Sequence, residues 1–185
     1  MSKKFTPSEI IKPAAILFAI CLVASALLGF TNSVTAERIE QLQIEKENSS
    51  RLLVLPDAES FDEKGDYCVG LGANGETVGY IFTVTEKGYG GDVKVMTGVD
   101  NDGKVTGVEI LELSETAGLG MNAQKQSFRD AFKGLTAGIT VSKNNPEGNQ
   151  IKALTGATIT SKAVTEAVNT ALENYAQVKG GNDNG

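Results

Sequence analysis

The stretch LTGATITSKAV, residues 154 to 164, gathers four hydroxyls, Thr155, Thr158, Thr160 and Ser161, around Gly156 and Ala157, and runs into an apolar pattern at helical spacing. A helix start of this kind presents free backbone N–H groups and the positive end of the helix dipole, which together favour a phosphate or another anion. Part of the cluster has a structural explanation. Thr160 or Ser161 can cap the helix by accepting backbone N–H bonds, and Gly156 can supply a turn geometry that other residues resist. Thr155 and Thr158 are left without such a task. Thr158, two to three residues ahead of the expected first turn, is placed to hold a phosphate. Gly156 and Ala157 leave room beside it for a bulky group, and Thr155 can add a hydrogen bond.

Composition narrows the chemistry. The 185 residues include no histidine, which removes His-based triads, most zinc sites and the usual general base at neutral pH. A threonine hydroxyl is a poor nucleophile without an activating base. Cys21 lies inside an apolar segment and Cys68 far along the chain, so neither a structural bridge nor a metal site follows. No four-cysteine cluster pattern and no GxGxxG after a strand occur, which leaves no iron–sulfur or dinucleotide signature. Beyond residue 30, 14 Lys and Arg stand against 22 Asp and Glu, a net charge of -8. That balance argues against a nucleic-acid partner.

The elements that must position these residues begin at a membrane. From Pro13 to Phe30 the chain carries no charge over 18 residues, a helix of roughly 27 Å and the span of a bilayer core. Lys3, Lys4 and Lys12 precede it, whereas Glu37, Arg38 and Glu40 follow. The positive side marks a cytoplasmic N-terminus and sends the rest of the chain outward. A cleaved signal peptide is the alternative, with Val34-Thr35-Ala36 as a cleavage site, but the apolar run is long for one. The expected division is a cytoplasmic N-terminus over 1–12, a transmembrane helix over 13–33, a connecting helix over 34–55 stopped by Pro56-Asp57, a folded domain over 56–178 and a flexible tail over 179–185.

Within the domain, period-two alternation from Tyr67 onward, clearest in TVGYIFTVT at 77–85, predicts an antiparallel meander of about four strands joined by tight turns. Tyr80 and Phe82 belong to its core side. NAQKQSFRDAF, 122–132, predicts a short amphipathic helix. GITVSKN and NQIKAL predict two short strands around Asn144-Asn145-Pro146. Ala163, Val164, Ala167, Val168, Ala171, Leu172 and Tyr175 predict a long amphipathic helix. The result is an α+β domain, an antiparallel sheet with flanking helices, behind a single N-terminal transmembrane helix.

The run Thr155-Gly156-Ala157-Thr158 resembles the flavinylation motif of the FMN-binding domain family found in the G subunit of the Rnf electron transport complex and in the C subunit of the sodium-translocating NADH:quinone reductase. In that family the threonine ending the S/T-G-A-T motif carries FMN through a phosphoester, and here that residue is Thr158. Glu115-Thr116-Ala117-Gly118-Leu119-Gly120 resembles the family's E-T-P-G-L-G loop, whose backbone lies near the flavin. The resemblance therefore implies covalent FMN on Thr158, with cofactor contacts from Thr155, Gly156, Ala157, Glu115, Thr116, Gly118, Leu119 and Gly120. It also implies a flavin transferase that takes FMN from FAD with Mg²⁺, other subunits of a membrane complex as partners, lipid around residues 13–30, and no complete active site in this chain. Electrons would move between ferredoxin and NAD, coupled to sodium or proton movement.

A length of 185 residues suits the Rnf G subunit better than the longer reductase subunit. Lys152 stands where many relatives have Asp, Ala117 replaces Pro and loses its fixed φ, and Leu113 takes a place where some have His. Two other readings remain open here: a membrane-tethered module that binds flavin or another phosphate ligand noncovalently, and a surface-anchored structural domain whose TGAT is only a turn and cap.

Overall fold

The computed structural model describes residues 7–182. The chain divides into two compact units, Met1–Glu45 and Lys46–Gly185. Helix α1, Pro7–Val54, belongs to both. In the first unit its residues Ile11–Ala36 form one segment long and apolar enough to cross a membrane, with none of that surface buried. Polar side chains there pair within the helix: the Thr31 and Thr35 hydroxyls donate to the carbonyls of Leu27 at 2.9 Å and Thr31 at 2.8 Å. Such back-bonding satisfies a hydroxyl that hydrocarbon cannot. Residues 1–6, half of the expected cytoplasmic N-terminus, lie outside the described residues.

The second unit is built on a five-stranded antiparallel meander in simple chain order. Its strands are β1 (Ser60–Glu63), β2 (Tyr67–Leu71), β3 (Thr77–Lys87), β4 (Asp92–Asp100) and β5 (Val105–Leu113). Four of them are those the alternation predicts. The fifth, β1, is missed because its SFDE sequence is polar and sits exposed at the edge of the sheet, where no buried face imposes a hydrophobic period. GITVSKN and NQIKAL do form strands, β6 (Thr140–Ser142) and β7 (Gln150–Lys152), paired in parallel.

One face of the sheet packs against α3 (Thr158–Asn182). Phe82, Val93, Val95, Val99, Val108 and Ile110 meet Val164, Ala167, Val168, Ala171 and Leu172 there in the main core, and Phe82 and half-buried Tyr80 take the core side as expected. Asn169, midway along α3, accepts from the Ile139 N–H and donates to the Ile139 carbonyl, both at 2.9 Å, which joins the helix to the start of β6. The Tyr175 hydroxyl and the Lys179 ammonium both donate to the Asn101 carbonyl, at 2.7 and 2.8 Å, and hold its C-terminal part to the β4–β5 turn. The helix runs on to Asn182, through the Lys179-Gly180 expected in the tail, while residues 183–185 lie outside the described residues.

The opposite face is lined by glycines. Gly70 pairs with Gly79 across β2 and β3, and Gly98 with Gly107 across β4 and β5. A Cβ at Gly70 or Gly79 would lie 2.3 or 2.7 Å from Leu55, and one at Gly98 or Gly107 would lie 2.2 Å from the Val54 carbonyl oxygen or 2.8 Å from its Cα. Glycine in a strand interior permits this close approach of another backbone. Val54, Leu55 and Ala58 fill the trough with Cys68, Ile81, Met96 and Leu111 in a second core, and the Lys46 ammonium donates to the Leu111 carbonyl.

The segment 122–132 is not the single helix its apolar spacing predicts; with the two residues before it, it folds in three pieces. These are a 3₁₀ turn (Gly120–Gln124), a four-residue α2 (Gln126–Arg129) and a second 3₁₀ turn (Asp130–Phe132). No side chain among the described residues caps either of the first two pieces. They are held by Ala123, Phe128 and Phe132 in the core and by an Arg129–Glu109 ion pair, so tertiary anchoring takes the place of helix propagation.

Candidate functional site

Three segments of the second unit converge on one open cavity of about 450 Å³: the β3–β4 turn, the loop after β5, and the start of α3. Its size is that of a small-molecule site. Tyr89, Glu115, Thr116, Leu119, Gly120, Gly156, Ala157, Thr158, Ile159 and Thr160 line it.

The α3 end is built by a β-turn. The Ala157 N–H donates to the Leu154 carbonyl at 3.0 Å, and Gly156, at φ +74°, takes the third position. That position of a type II turn demands a positive φ. A Cβ at Gly156 would also lie 2.9 Å from the Leu119 side chain. The helix starts earlier than its apolar spacing suggests: α3 begins at Thr158 itself. Thr160 and Ser161 consequently sit in its first turn and neither caps it. Ser161, fully buried, instead accepts from the Leu154 N–H and donates to the Ala157 carbonyl, both at 2.9 Å, tying the two ends of the turn together. The Thr160 hydroxyl is buried with no hydrogen-bond partner among the described residues.

The first backbone bond into the helix is that of the Ser161 N–H with the Ala157 carbonyl, at 3.0 Å. The N–H groups of Thr158, Ile159 and Thr160 find no acceptor among the described residues, so the positive end of a 25-residue helix is uncapped at the cavity. Half-buried Thr158 stands there with the helix's first free N–H.

The facing loop carries Glu115. Its Oε1 accepts the Tyr89 N–H at 2.7 Å, and among the described residues it is the one side chain in the cavity wall with a formal charge at neutral pH. Leu119 and Ile159, 42% and 52% exposed, give the opening an apolar rim, and Tyr89 is 74% exposed.

Of the residues marked from sequence, seven therefore share one cavity: Glu115, Thr116, Leu119, Gly120, Gly156, Ala157 and Thr158. Gly118 and Thr155 are not in its wall. Gly118, at φ +77°, turns the loop and accepts the Asn122 side-chain amide at 2.6 Å, and Thr155 occupies the second, exposed position of the turn before α3. Tyr89, Ile159 and Thr160 are wall residues that sequence reasoning does not mark. For Tyr89 the available signal is Gly88-Tyr89-Gly90-Gly91, a single aromatic among three glycines between two strands.

The site fits a flavin nucleotide on its own features: an uncapped helix start for a phosphate, an apolar rim for a ring system, and open volume between them. An FMN-binding domain family is matched over residues 88–173, which contain the whole cavity wall, and the RnfG N-terminal region over residues 1–52. The chain is 38% identical over 190 residues to the G subunit of the Na(+)-translocating ferredoxin:NAD(+) oxidoreductase complex of Acetobacterium woodii, covering 90% of this chain and 91% of the relative. The chain belongs to the Rnf G subunit family.

A second relative, the G subunit of the proton-translocating ferredoxin:NAD(+) oxidoreductase complex of Clostridium ljungdahlii, is 36% identical, covering 87% of this chain and 89% of the relative. Among solved structures, the C subunit of the Na(+)-translocating NADH-quinone reductase of Parabacteroides distasonis matches this Rnf G-type chain with a TM-score of 0.50 and 27% identity, over 60% of this chain and 61% of that one. The chain thus spans about three fifths of that protein's length. NqrC of Shewanella oneidensis shares the fold, with a TM-score of 0.51 at 18% identity over 66% of this chain and 67% of that one.

Proposed function

We propose that this Rnf G-type chain is a membrane-anchored electron-transfer subunit of an ion-translocating ferredoxin:NAD oxidoreductase, and that it carries FMN as a phosphoester on Thr158. The observation that carries the proposal is the coincidence, in one cavity, of the half-buried Thr158 hydroxyl with the uncapped N–H groups of α3. A phosphoester on the first residue of a helix gains from both the free donors and the dipole.

The other two hydroxyls in the first turn of α3 are less available. Ser161 is committed to two hydrogen bonds and Thr160 is buried. Loading is the work of a separate flavin transferase: the Thr158 oxygen takes the FMN phosphoryl group from FAD, AMP leaves, and the hydroxyl proton is released. The chain has no histidine, the usual base for activating a hydroxyl.

Leu119 and Ile159, at the open rim of the cavity, would flank the ring. Bound FMN supplies one- and two-electron transfer, and the protein positions and tunes it. The helix Ile11–Ala36 anchors the subunit, with its N-terminus cytoplasmic and the second unit on the outer side among the other subunits of the complex. In that compartment a covalent tether keeps a scarce cofactor from being lost.

Mass spectrometry of the chain made alongside a flavin transferase tests the reading. The expected result is the added mass of one FMN, retained after denaturation and mapped to the peptide containing Thr158. An unmodified wild-type chain contradicts it. A reporter fused after Gly185 and active in the cytoplasm contradicts the topology.

A further inference from the structure

Glu115 is held in place more elaborately than a solvated loop carboxylate requires. Its Oε1 accepts the Tyr89 N–H at 2.7 Å, and a Cβ at Gly88 would lie 2.4 Å from that same oxygen. On its other side, a Cβ at Gly120 would lie 2.8 Å from both the Glu115 Cβ and Oε2, and 2.9 Å from the Thr160 hydroxyl. Two glycines from two different loops thus make the space this one side chain fills.

The carboxylate also has no ionic partner among the described residues: every Lys and Arg in a salt bridge is matched to another acid, and no Lys or Arg enters the cavity wall. Thr160, its neighbour across Gly120, offers a buried hydroxyl without a partner but no charge. A half-buried, unpaired anion is an unusual thing to build into a pocket with an apolar rim, where screening is weaker than in bulk water. It is well suited to act on a ligand whose charge changes.

We propose that Glu115 is an electrostatic tuning group: its unpaired carboxylate, fixed by the Tyr89 N–H in the wall of the cavity, opposes the negative charge that reduction adds to the flavin and holds its midpoint potential low. This rests on the reading that the cavity holds FMN. The carboxylate pins the β3–β4 turn through one oxygen and supplies charge as a whole, and these two roles separate by substitution. Glu115→Gln keeps an acceptor for the Tyr89 N–H and removes the charge, whereas Glu115→Asp keeps the charge and shortens the reach.

The test is a spectroelectrochemical titration of the full-length, flavinylated chain in detergent, with the adduct on each variant verified by mass. Glu115→Gln is expected to shift the midpoint potential to more positive values, with Glu115→Asp staying closer to wild type. A Glu115→Gln potential equal to or below that of wild type overturns the inference while leaving the FMN reading intact. A wild-type chain that carries no FMN overturns both. Should Glu115→Gln fail to fold, the wild-type potential decides: it is expected to rise with ionic strength as the carboxylate is screened, and a potential indifferent to salt contradicts the proposal.

Discussion

Glycines do opposite work in two regions of the second unit. On the sheet face away from α3, Gly70, Gly79, Gly98 and Gly107 clear a trough for Val54 and Leu55, so what fills the space is the chain's own backbone and an apolar side chain. Around the cavity, Gly88 and Gly120 clear space for a carboxylate, and Gly156 clears space for Leu119 at the rim. The first region is closed, buried and apolar, and its tightness yields stability. The second is open, and its tightness fixes the direction of a charge and of an apolar rim. Identical residue types at similar distances therefore serve packing in one place and site geometry in the other, and the neighbour each glycine meets tells which.

That contrast can be broken by substitution. Gly98→Ala would set a Cβ 2.2 Å from a backbone oxygen that cannot move alone. It is expected to cost about 3 kcal/mol or more in denaturant unfolding, at or above the upper end for overpacking. Gly134, with φ +78° and open space around it, is the control. Gly134→Ala should cost about 1–2 kcal/mol from backbone strain alone.

Gly120→Ala would set a Cβ 2.8 Å from the Glu115 Cβ and Oε2 and 2.9 Å from the buried Thr160 hydroxyl, so about 1–3 kcal/mol is expected. Unlike Gly98→Ala, it should also displace Glu115 and reduce FMN loading measured by absorbance. If loading suffers equally in both variants, the division between packing and site glycines fails.

Ser161→Ala leaves the Leu154 N–H without its acceptor and should cost about 1–2 kcal/mol in the same unfolding assay. The smallest effect belongs to the trough face. Burial pushes the Cys68 thiol above its ordinary value of 9.0, against the opposing pull of Arg51. A folded value raised above the unfolded one gives stability that is complete below pH 9 and is lost as the pH climbs through the folded value. Cys68→Ala should therefore flatten the alkaline limb of stability against pH, and an unchanged limb assigns that loss to other groups.

The parts of this structure legible in sequence are those written as periodicity. The alternation in TVGYIFTVT, the turns at Asn74-Gly75 and Asp100-Gly103, and the apolar stripe from Ala163 to Tyr175 correspond to β2–β5 and α3. Where tertiary contacts override local pattern, sequence reading fails. SFDE pairs as an edge strand without a buried face, and 120–132 breaks into short turns anchored by Phe128 and Phe132.

At the site, residues of TGAT and ETAGLG line one cavity. The division of labour among hydroxyls is not readable from them, because it depends on where α3 starts. A start at Thr158 converts Ser161 from a cap into a tie across the turn and leaves the helix end open. The trough glycines carry no local signal, since the partner that requires them is about 15 to 50 residues away in Val54 and Leu55.

Thr158 is the residue proposed to carry the cofactor. Intact-mass and peptide analysis of the full-length chain made with a flavin transferase, comparing wild type with Thr158→Val and Thr160→Val, tests this most directly. One FMN is expected on wild type and on Thr160→Val, mapped to Thr158, and none on Thr158→Val. An adduct that survives Thr158→Val contradicts it.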